Sequence, residues 1–372
     1  MNNDDNLKNK FIIAAFLAVL GGFALLNRLV APPEISMSER RHLATMPAFS
    51  AASVSSGRFM KDFENFAADS FVFRDNLRAA HTAFILGVYL QSDKSGLYVG
   101  RFGAGKLEKI DETSVRQAAA KILKLASSID DARLYYSFIP DKNVYAGRYM
   151  PGFDVERARL LLGDALAADP RLTYVDVAGA LSAADFYRTD LHWSQPRLGG
   201  VVSALGAGMG FRGGLEGFTE EPVGLFQGVY SGQLALPLKP DLMSVMTDGP
   251  LHNATASYLD PQSQTFVPGD IYDFAAVSGR DPYDVFLKGV QPLIILENPD
   301  APAERELYLF RDSFGSSLAP LLLAAYSKVV LIDLRYIDSR LLAEHAAISP
   351  GADVLFLYSS QILNSASVLL AG

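Results

Sequence analysis

The sequence predicts an α/β protein built on a parallel β-sheet with helices on both faces, preceded by a membrane anchor and a short helical segment. Strand patterns alternate with helix patterns in 114–210 and again in 306–359. Strands separated by helices pair in parallel, and the helices then cover both faces of the sheet. An apolar run at 11–26 precedes these patterns and predicts the anchor.

The apolar run at 11–26 has sixteen residues and extends to residue 31 if the Arg28 head group reaches the membrane interface. That length approaches the ~20 residues that a spanning helix needs. Lys8 and Lys10 precede the run and favour a cytoplasmic N-terminus. A signal peptide is the alternative, but no small-x-small cleavage site follows, so an uncleaved anchor is favoured. Residues 32–372 are then predicted to lie outside the cytoplasm, in a single-pass cell-membrane protein.

Three short features are predicted between the anchor and the sheet. Residues 31–50 are polar and contain prolines, which is typical of an extended stalk. Apolar residues recur at helical spacing in 57–90, so two helices are predicted with a break near Asp69 and Ser70. Residues 96–110 alternate and turn on glycines, as a β-hairpin does.

The region that follows alternates between helices and strands, with one interruption. Predicted strands lie at 132–140, 172–177, 306–310, 328–334 and 353–359. Predicted helices lie at 114–129, 154–168, 194–210, 315–326 and 338–346. Asp154 and Ser194 are the predicted N-caps of two of them. Residues 211–290 are richer in Gly, Pro, Asp and Thr and are interpreted as an irregular insertion with short strands.

These patterns predict three parts of the chain. Residues 1–31 form a cytoplasmic tail and the transmembrane anchor, 32–92 form the stalk and the helical segment, and 93–372 form the main domain with the insertion at about 211–290. Ligands of parallel sheets bind beyond the carboxyl ends of the strands. A functional site is therefore expected at that edge of the main domain.

Composition excludes several classes of function. The net charge of −8 argues against nucleic acid as a partner. The chain has no cysteine, which excludes disulfides and thiolate metal sites. No G-x-G-x-x-G motif opens a helix after a strand, and no Walker A motif is present, so a nucleotide cofactor is not expected.

Ser313 lies where the predicted strand 306–310 gives way to a helix. At that turn the free N–H groups of the first helical turn can stabilise an oxyanion, as at the nucleophile elbow of α/β-hydrolases. Ser313 is therefore a candidate nucleophile. The alternative is that Ser313 or Asp312 simply caps the helix.

Asp190 and His192 are two positions apart in "FYRTDLHWSQ", beside Trp193, the only tryptophan of the chain. Residues i and i+2 of an extended segment project to the same side, so Asp190 can reach the imidazole. A histidine held by a carboxylate can serve as the base for a serine nucleophile, and Trp193 could wall the site or contact substrate. A structural histidine is one alternative. A metal pair is another, but no third or fourth ligand stands out, and no metal is predicted.

Several segments resemble the DHHW family of membrane-anchored bacterial proteins, relatives of the SGNH-hydrolase-like alginate O-acetyltransferases. The resemblance rests on "TDLHWS" and "RDSFGSSLAPLL" with "VVLIDLRYID", and on "ISMSERRHLATMPAFS", "FENFAADSFVFRDNL" and "FIPDKNVYAGRYMP". It implies an SGNH-hydrolase-like fold in which Asp190 orients His192, His192 acts as general base, and Ser313 carries the acetyl group. Arg335 matches an arginine near the active site, where it would bind substrate.

Two positions depart from the pattern of the family. Leu191 replaces the first histidine of Asp-His-His-Trp, so any role of that histidine is absent here, although the triad is retained. Arg40 stands where an asparagine is expected in the segment after the anchor.

The resemblance implies a cell-envelope O-acetyltransferase that moves an acetyl group through an acetyl-serine to hydroxyls of an extracellular polysaccharide. A membrane-bound O-acyltransferase is the implied acetyl donor, and no cofactor is implied. One alternative is an acetylesterase that deacetylates cell-surface glycans, since the same triad serves hydrolysis. The other is a non-catalytic glycan-binding or assembly protein.

Overall fold

A computed structural model describes residues 3–147 and 152–371, so the last four residues of the segment "FIPDKNVYAGRYMP" lie outside the described residues. Contacts divide the chain into two compact units. The N-terminal unit comprises residues 1–91 and 232–237, and the main unit comprises 92–231 and 238–372.

The described residues form helices and strands at the following positions. The helices are α1 (Asn3–Leu29), α2 (Ala51–Ser55), α3 (Arg58–Asp69), α4 (Arg74–Gly87), α5 (Glu112–Ser127), α6 (Val155–Leu166), α7 (Gly199–Met209), α8 (Val229–Leu234), α9 (Phe314–Leu322), α10 (Leu342–His345) and α11 (Ser360–Leu363). The strands are β1 (Ile35–Ser36), β2 (Arg41–His42), β3 (Leu97–Gly100), β4 (Gly103–Lys106), β5 (Arg133–Ile139), β6 (Leu172–Tyr174), β7 (Thr219–Phe226), β8 (Asp241–Thr247), β9 (Thr255–Leu259), β10 (Phe266–Gly269), β11 (Leu293–Glu297), β12 (Glu306–Arg311), β13 (Lys328–Ile332) and β14 (Asp353–Ser359).

Helix α1 is the apolar helix that the sequence predicts. Its apolar segment Leu7–Leu29 has 23 residues, and the most apolar part of that segment contains no buried residue. At 1.5 Å per residue this segment is about 34 Å long, enough to cross the ~30 Å hydrocarbon core of a bilayer. The helix is therefore compatible with a single-pass membrane anchor.

The two helices predicted in 57–90 are confirmed as α3 and α4. Residues 70–73, which are not helical, separate them. Asp69, the last residue of α3, holds the preceding segment in place. Its carboxylate accepts two hydrogen bonds from Arg41, at 2.7 and 2.6 Å, and one from the Ala44 N–H at 2.9 Å. Hydrogen bonds thus join the stalk to the end of α3. Within the stalk, β1 pairs with β2.

We expect Asp69→Asn to loosen the N-terminal unit. The hydrogen bonds from Arg41, with the Ala44 N–H, lower the pKa of Asp69 from 3.8 to about 2. A lowered pKa means that the ionised group stabilises the fold above pH 4, and that this contribution is lost as the pH falls towards 2. At pH 7 the variant should lose about 1–2 kcal/mol of unfolding free energy, because the Arg41 side of the pair is half-exposed.

Hydrogen exchange of residues 58–87 in the full-length protein measures this effect. Glu64→Gln, an exposed change on the same helix, is the control. Equal protection of 58–87 in Asp69→Asn and wild type at pH 7 would show that this carboxylate does not stabilise the unit.

The main unit contains an eight-stranded sheet in the order β10-β9-β11-β13-β12-β14-β5-β6. The run from β13 to β6 is parallel throughout. Strands β11, β9 and β10 extend it with antiparallel pairs. The predicted parallel sheet is therefore confirmed in the part that carries Ser313.

The two faces of the sheet pack against different helices. On β5, Leu134, Tyr136 and Phe138 join a core that includes residues of α5 and α6. The alternate residues Tyr135 and Ile139 join a second core that includes residues of α7 and α9. Because side chains alternate along a strand, each central strand is buried on both faces, as expected for a parallel sheet.

The antiparallel edge of the sheet was not predicted. Strand β11 was missed, and β9 and β10 come from the segment interpreted as an irregular insertion. Short apolar runs of five residues between turn-forming residues carry little periodic signal. Ser194 is also not a side-chain cap: a 3₁₀ turn over Gln195–Arg197 precedes α7, and the Ser194 hydroxyl makes no capping hydrogen bond there.

Candidate active site

Polar residues collect where the parallel strands end, here called the carboxyl edge. Ser313 follows β12, Asp141 and Lys142 follow β5, and Asp333 and Arg335 follow β13. Parallel strands end on the same side of a sheet, so neighbouring strands bring these residues to one edge.

Asp190, His192 and Ser313 form one chain of hydrogen bonds. His192 Nδ1 lies 2.6 Å from Asp190 Oδ2, and His192 Nε2 lies 2.8 Å from Ser313 Oγ. The two ring nitrogens therefore face a carboxylate and a hydroxyl. This is the arrangement in which a carboxylate fixes the tautomer and the free ring nitrogen accepts the proton of a serine. The structure thus brings together the three residues that the sequence singled out.

A tight loop places Asp190 and His192 on the same side. The Tyr187 N–H donates to the His192 carbonyl at 3.1 Å and closes the loop. Asp190 has no exposed surface and also accepts the backbone N–H groups of His192, at 3.2 Å, and Val229, at 2.7 Å. Donors on several sides hold the carboxylate in the orientation that the imidazole requires.

Aromatic rings fix the plane of the imidazole. The ring of Tyr283 stacks on His192 with centroids 3.7 Å apart and planes 7° apart, and Phe314 lies at 4.9 Å. Tyr283 donates its hydroxyl to Ser317 Oγ at 2.8 Å, and burial raises its pKa well above 10, so it stays neutral. Sequence reasoning did not identify Tyr283, because it lies in the segment 211–290 that was interpreted as irregular.

Trp193 lies in the core beneath α9. It has no exposed surface, and its Nε1–H donates to the Phe314 carbonyl at 3.1 Å and to Ser317 Oγ at 2.8 Å. The predicted contact between Trp193 and substrate does not fit this position, because the indole presents no surface to a ligand. Its contacts instead hold the first turn of the helix that follows Ser313.

The N–H groups of the first turn of α9 are not free, contrary to expectation. Phe314 N–H donates to Asp312 Oδ1 at 3.0 Å, Gly315 N–H donates to the Asp312 carbonyl at 3.0 Å, and Ser316 N–H donates to the Ser313 carbonyl at 3.1 Å. Asp312 is thus the residue whose side chain binds the helix start, and Ser313 makes no such cap. The Ser313 N–H has no hydrogen-bond partner among the residues that the structure describes, which makes it the candidate oxyanion donor.

Arg335 lies at the carboxyl edge beyond β13. Its guanidinium donates to both oxygens of Asp333, at 2.8 and 2.6 Å, and about a fifth of its side chain is exposed. Asp333 also lies 3.4 Å from the buried Arg311, two residues before Ser313. The role of Arg335 in substrate binding stays a prediction.

Lys142 is a functional candidate that sequence reasoning missed. The side chain is buried, and Nζ donates to the carbonyls of Tyr187 at 2.7 Å, Arg188 at 3.2 Å and Asp190 at 2.9 Å. Its three N–H donors are thus used on the loop that carries the triad carboxylate. Burial lowers the pKa of Lys142 to about 8, against the attraction of nearby carboxylates such as Asp141 and Asp190. A polar Asp-Lys pair directly after a buried strand was the available signal.

We expect Lys142→Met to reduce both stability and activity. Three buried carbonyls would lose their donor, which should lower the unfolding free energy by about 3 kcal/mol. Displacement of the loop should lower kcat by about a hundredfold or more, since catalysis depends on near-ångström placement. Urea unfolding and kcat measured on the folded protein check the two parts.

Lys121→Met is the matched control for this variant. Lys121 also donates to two carbonyls, of Ala366 at 2.7 Å and Leu369 at 2.6 Å, but these belong to the C-terminal segment. It should lose stability and retain kcat. Equal loss of kcat in both variants would contradict a positioning role for Lys142.

Among the described residues, no group of three or more His, Asp or Glu is arranged to hold a metal ion. The carboxylates of Asp190 and Asp333 at the carboxyl edge accept hydrogen bonds from protein N–H and guanidinium groups.

No family model matches the chain, and no curated protein matches it either. Solved structures do resemble it. A DHHW family protein from Eubacterium siraeum shares 17% sequence identity with a TM-score of 0.61, over 74% of this chain and 94% of that chain. PatB1 from Bacillus cereus shares 15% sequence identity with a TM-score of 0.58, over 74% of this chain and 99% of that chain. The structure of Bacillus cereus PatB1 with a sulfonyl adduct shares 17% sequence identity with a TM-score of 0.56, over 72% of this chain and 96% of that chain. The chain therefore has the fold of a DHHW family protein and of PatB1, as its motifs predict.

Proposed function

We propose that the protein is a serine-dependent O-acetyltransferase of the cell envelope that acetylates hydroxyls of an extracellular polysaccharide. The observation that carries the proposal is the continuous chain from Ser313 Oγ through His192 to Asp190, with 2.8 and 2.6 Å between the paired atoms. Two further facts support it. The fold is that of a DHHW family protein, and a sulfonyl adduct has been obtained with PatB1, which shares the fold.

The first half-reaction loads the serine. Ser313 Oγ attacks the carbonyl carbon of the acetyl donor while His192 Nε2 takes the hydroxyl proton. Asp190 accepts the Nδ1–H and stabilises the imidazolium that forms. The Ser313 N–H faces the developing oxyanion. When the bond to the leaving group breaks, His192 returns its proton to that group, and Ser313 keeps the acetyl ester.

The second half-reaction transfers the acetyl group. A sugar hydroxyl takes the place of the leaving group and gives its proton to His192 as its oxygen attacks the acetyl carbon. The bond between that carbon and Ser313 Oγ then breaks, and His192 protonates Oγ. The products are an O-acetylated glycan and the free enzyme.

The same proposal assigns a location and a division of the chain. Residues 1–31 are the tail and anchor, 32–92 the stalk and helical segment, and 93–372 the catalytic domain outside the cytoplasm. Lys8 and Lys10 before the apolar segment favour this orientation. A membrane-bound O-acyltransferase is the proposed donor of the acetyl group, since acetyl-CoA is cytoplasmic and the anchor would hold the domain beside such a partner.

Hydrolysis of acetyl esters is the second candidate function. Ser313 is partly exposed, so water can reach an acetyl group on its Oγ. The triad serves water and sugar hydroxyls equally, and the choice between them depends on whether an acceptor binds beside Ser313.

The test uses the full-length protein in detergent with p-nitrophenyl acetate, with and without oligosaccharides, beside Ser313→Ala. Mass spectrometry identifies the products. Ser313-dependent acetylated oligosaccharide is the expected result. Release of acetate that depends on Ser313 and does not change when an oligosaccharide acceptor is added would favour the esterase. If Ser313→Ala and wild type behave alike, the triad is not catalytic and a glycan-binding or assembly role takes its place.

A further inference from the structure

A pocket of about 420 Å³, here called the edge pocket, opens at the carboxyl edge of the main unit. Its lining comprises the polar or aromatic residues Lys106, Glu108, Arg335, Tyr336, Gln361 and Ser365 together with the apolar Ile362 and Val368. Lys106 ends β4 of the β3-β4 hairpin and Glu108 follows it, while the other residues follow β13 and β14 of the main sheet. The volume lies within the range of about 300–1,000 Å³ that is typical of small-ligand sites.

Two walls of the edge pocket are attached to the residues that precede Ser313. Gln361 lies two residues after Ser359, whose N–H donates to Asp312 Oδ2 at 2.7 Å. Arg335 binds Asp333, which lies 3.4 Å from Arg311. Arg311 and Asp312 lead directly into Ser313, so the pocket and the nucleophile share their supporting residues.

A second network connects the edge pocket to the other half of the triad. Gln361 Nε2 donates to the hydroxyl of Tyr230 at 3.1 Å, and Tyr230 donates to Asp141. The neighbours of these two residues hold the triad aspartate: the N–H of Val229 donates to the Asp190 carboxylate, and Lys142 binds the Asp190 carbonyl. The edge pocket and the triad aspartate therefore share supporting residues as well.

The lining has the mixed chemistry of a sugar site. Lys106, Arg335 and the Gln361 amide provide donors, and Glu108 provides a carboxylate that is 8% exposed. The ring of Tyr336 is half-exposed, with the Arg335 guanidinium over it at 5.3 Å from the ring centroid, and its exposed part can contact the C–H groups of a sugar ring.

The charges of the lining are locally balanced. Lys106 lies 3.7 Å from Glu108, and Arg335 is paired with Asp333. Because Lys106 and Arg335 are both paired with carboxylates, the pocket has no unpaired positive charge among the lining residues that the structure describes to favour a polyanion. It suits a neutral ring whose hydroxyl groups can both donate and accept hydrogen bonds.

We propose that the edge pocket binds a neutral hexopyranose ring of the acceptor glycan and presents a hydroxyl of the chain to the acetyl group on Ser313. The inference rests on the proposed function and specifies the substrate class of that site. Binding there raises the local concentration of the sugar hydroxyl over that of water, which favours transfer over hydrolysis.

Tyr336→Ala and Lys106→Ala test the proposal in the full-length protein, with cellohexaose and chitohexaose as neutral probes. Loss of the stacking ring or of the donor should weaken binding of the oligosaccharide about tenfold, as measured by titration calorimetry in a Ser313→Ala background. With Ser313 present and the probe below saturation, the partition of acetyl groups between oligosaccharide and water should shift towards water by a similar factor. Phe274→Ala, a half-exposed aromatic residue outside the pocket, is the matched control and should change neither quantity.

The outcomes separate two failures. If wild-type protein binds either probe and Tyr336→Ala and Lys106→Ala bind it equally well, or if neither probe binds, the edge pocket is not the acceptor site. If the probes bind as expected but wild type and Ser313→Ala release nitrophenol at the same rate, the pocket stands and the proposed chemistry fails.

Discussion

Ser313→Ala should lower the rate of acetyl transfer from p-nitrophenyl acetate by about four orders of magnitude or more. The variant has no Oγ to carry the acetyl group, and His192 and Asp190 can act only through that atom. Removal of the nucleophile from a working triad lowers the catalytic rate by an amount of this size, because the three residues act as one unit. Nitrophenol release in the pre-steady state and at steady state measures the effect.

Ser327→Ala is the matched control for the nucleophile. Ser327 precedes β13 at the opposite, amino end of the parallel strands, where its hydroxyl donates to the Arg305 carbonyl at 3.1 Å. The same chemical change there should leave the rate unaltered. Both variants should keep the wild-type unfolding midpoint within a few degrees, since Ser313 is partly exposed and no side-chain cap is lost. Full activity in Ser313→Ala would remove Ser313 from the mechanism.

Asp190→Asn should lower kcat by about three to four orders of magnitude with little change in KM. The carboxylate accepts three N–H groups, from the His192 ring, the His192 backbone and Val229. An amide can accept at one atom only, and its NH₂ would face a donor. The imidazole would then turn or adopt the tautomer that carries the proton on Nε2, where it cannot accept the proton of Ser313.

Asp176→Asn separates this effect from a general change of charge. Asp176 also accepts a backbone N–H, that of Gly179 at 2.9 Å, but it is exposed and lies in a turn beyond β6. It should keep the wild-type kcat. A loss in Asp190→Asn of less than about tenfold would mean that Asp190 does not orient the base, and that the 2.6 Å contact is structural.

The fold was predictable where burial leaves a strong pattern. Strands β12 and β14 are buried on both faces and appear as continuous apolar runs, and the helices between them show helical spacing. Strands β9 and β10 were not predicted as part of the sheet, because their five and four residues show no distinctive pattern. Whether such a segment pairs depends on β11, which lies far along the chain.

The site was predictable where its chemistry is local. Asp190 and His192 are two residues apart, so their contact follows from the backbone alone. Lys142 and Tyr283 were missed because they act on the loop of His192 only after the chain has folded. The capture of the first N–H of α9 by Asp312 was one of two alternatives left open, since a sequence does not show which of two neighbouring polar residues will cap a helix.

The most direct test of the central claim is to trap the acetyl group on the protein. Full-length protein is mixed with p-nitrophenyl acetate, quenched early, digested and examined by mass spectrometry, with and without an oligosaccharide acceptor. We expect one acetyl group on Ser313, absent from Ser313→Ala, accumulating in Asp190→Asn only slowly, and discharged faster when the acceptor is present. An acetyl group on another residue that turns over at the catalytic rate, or turnover with Ser313 never modified, would contradict the mechanism.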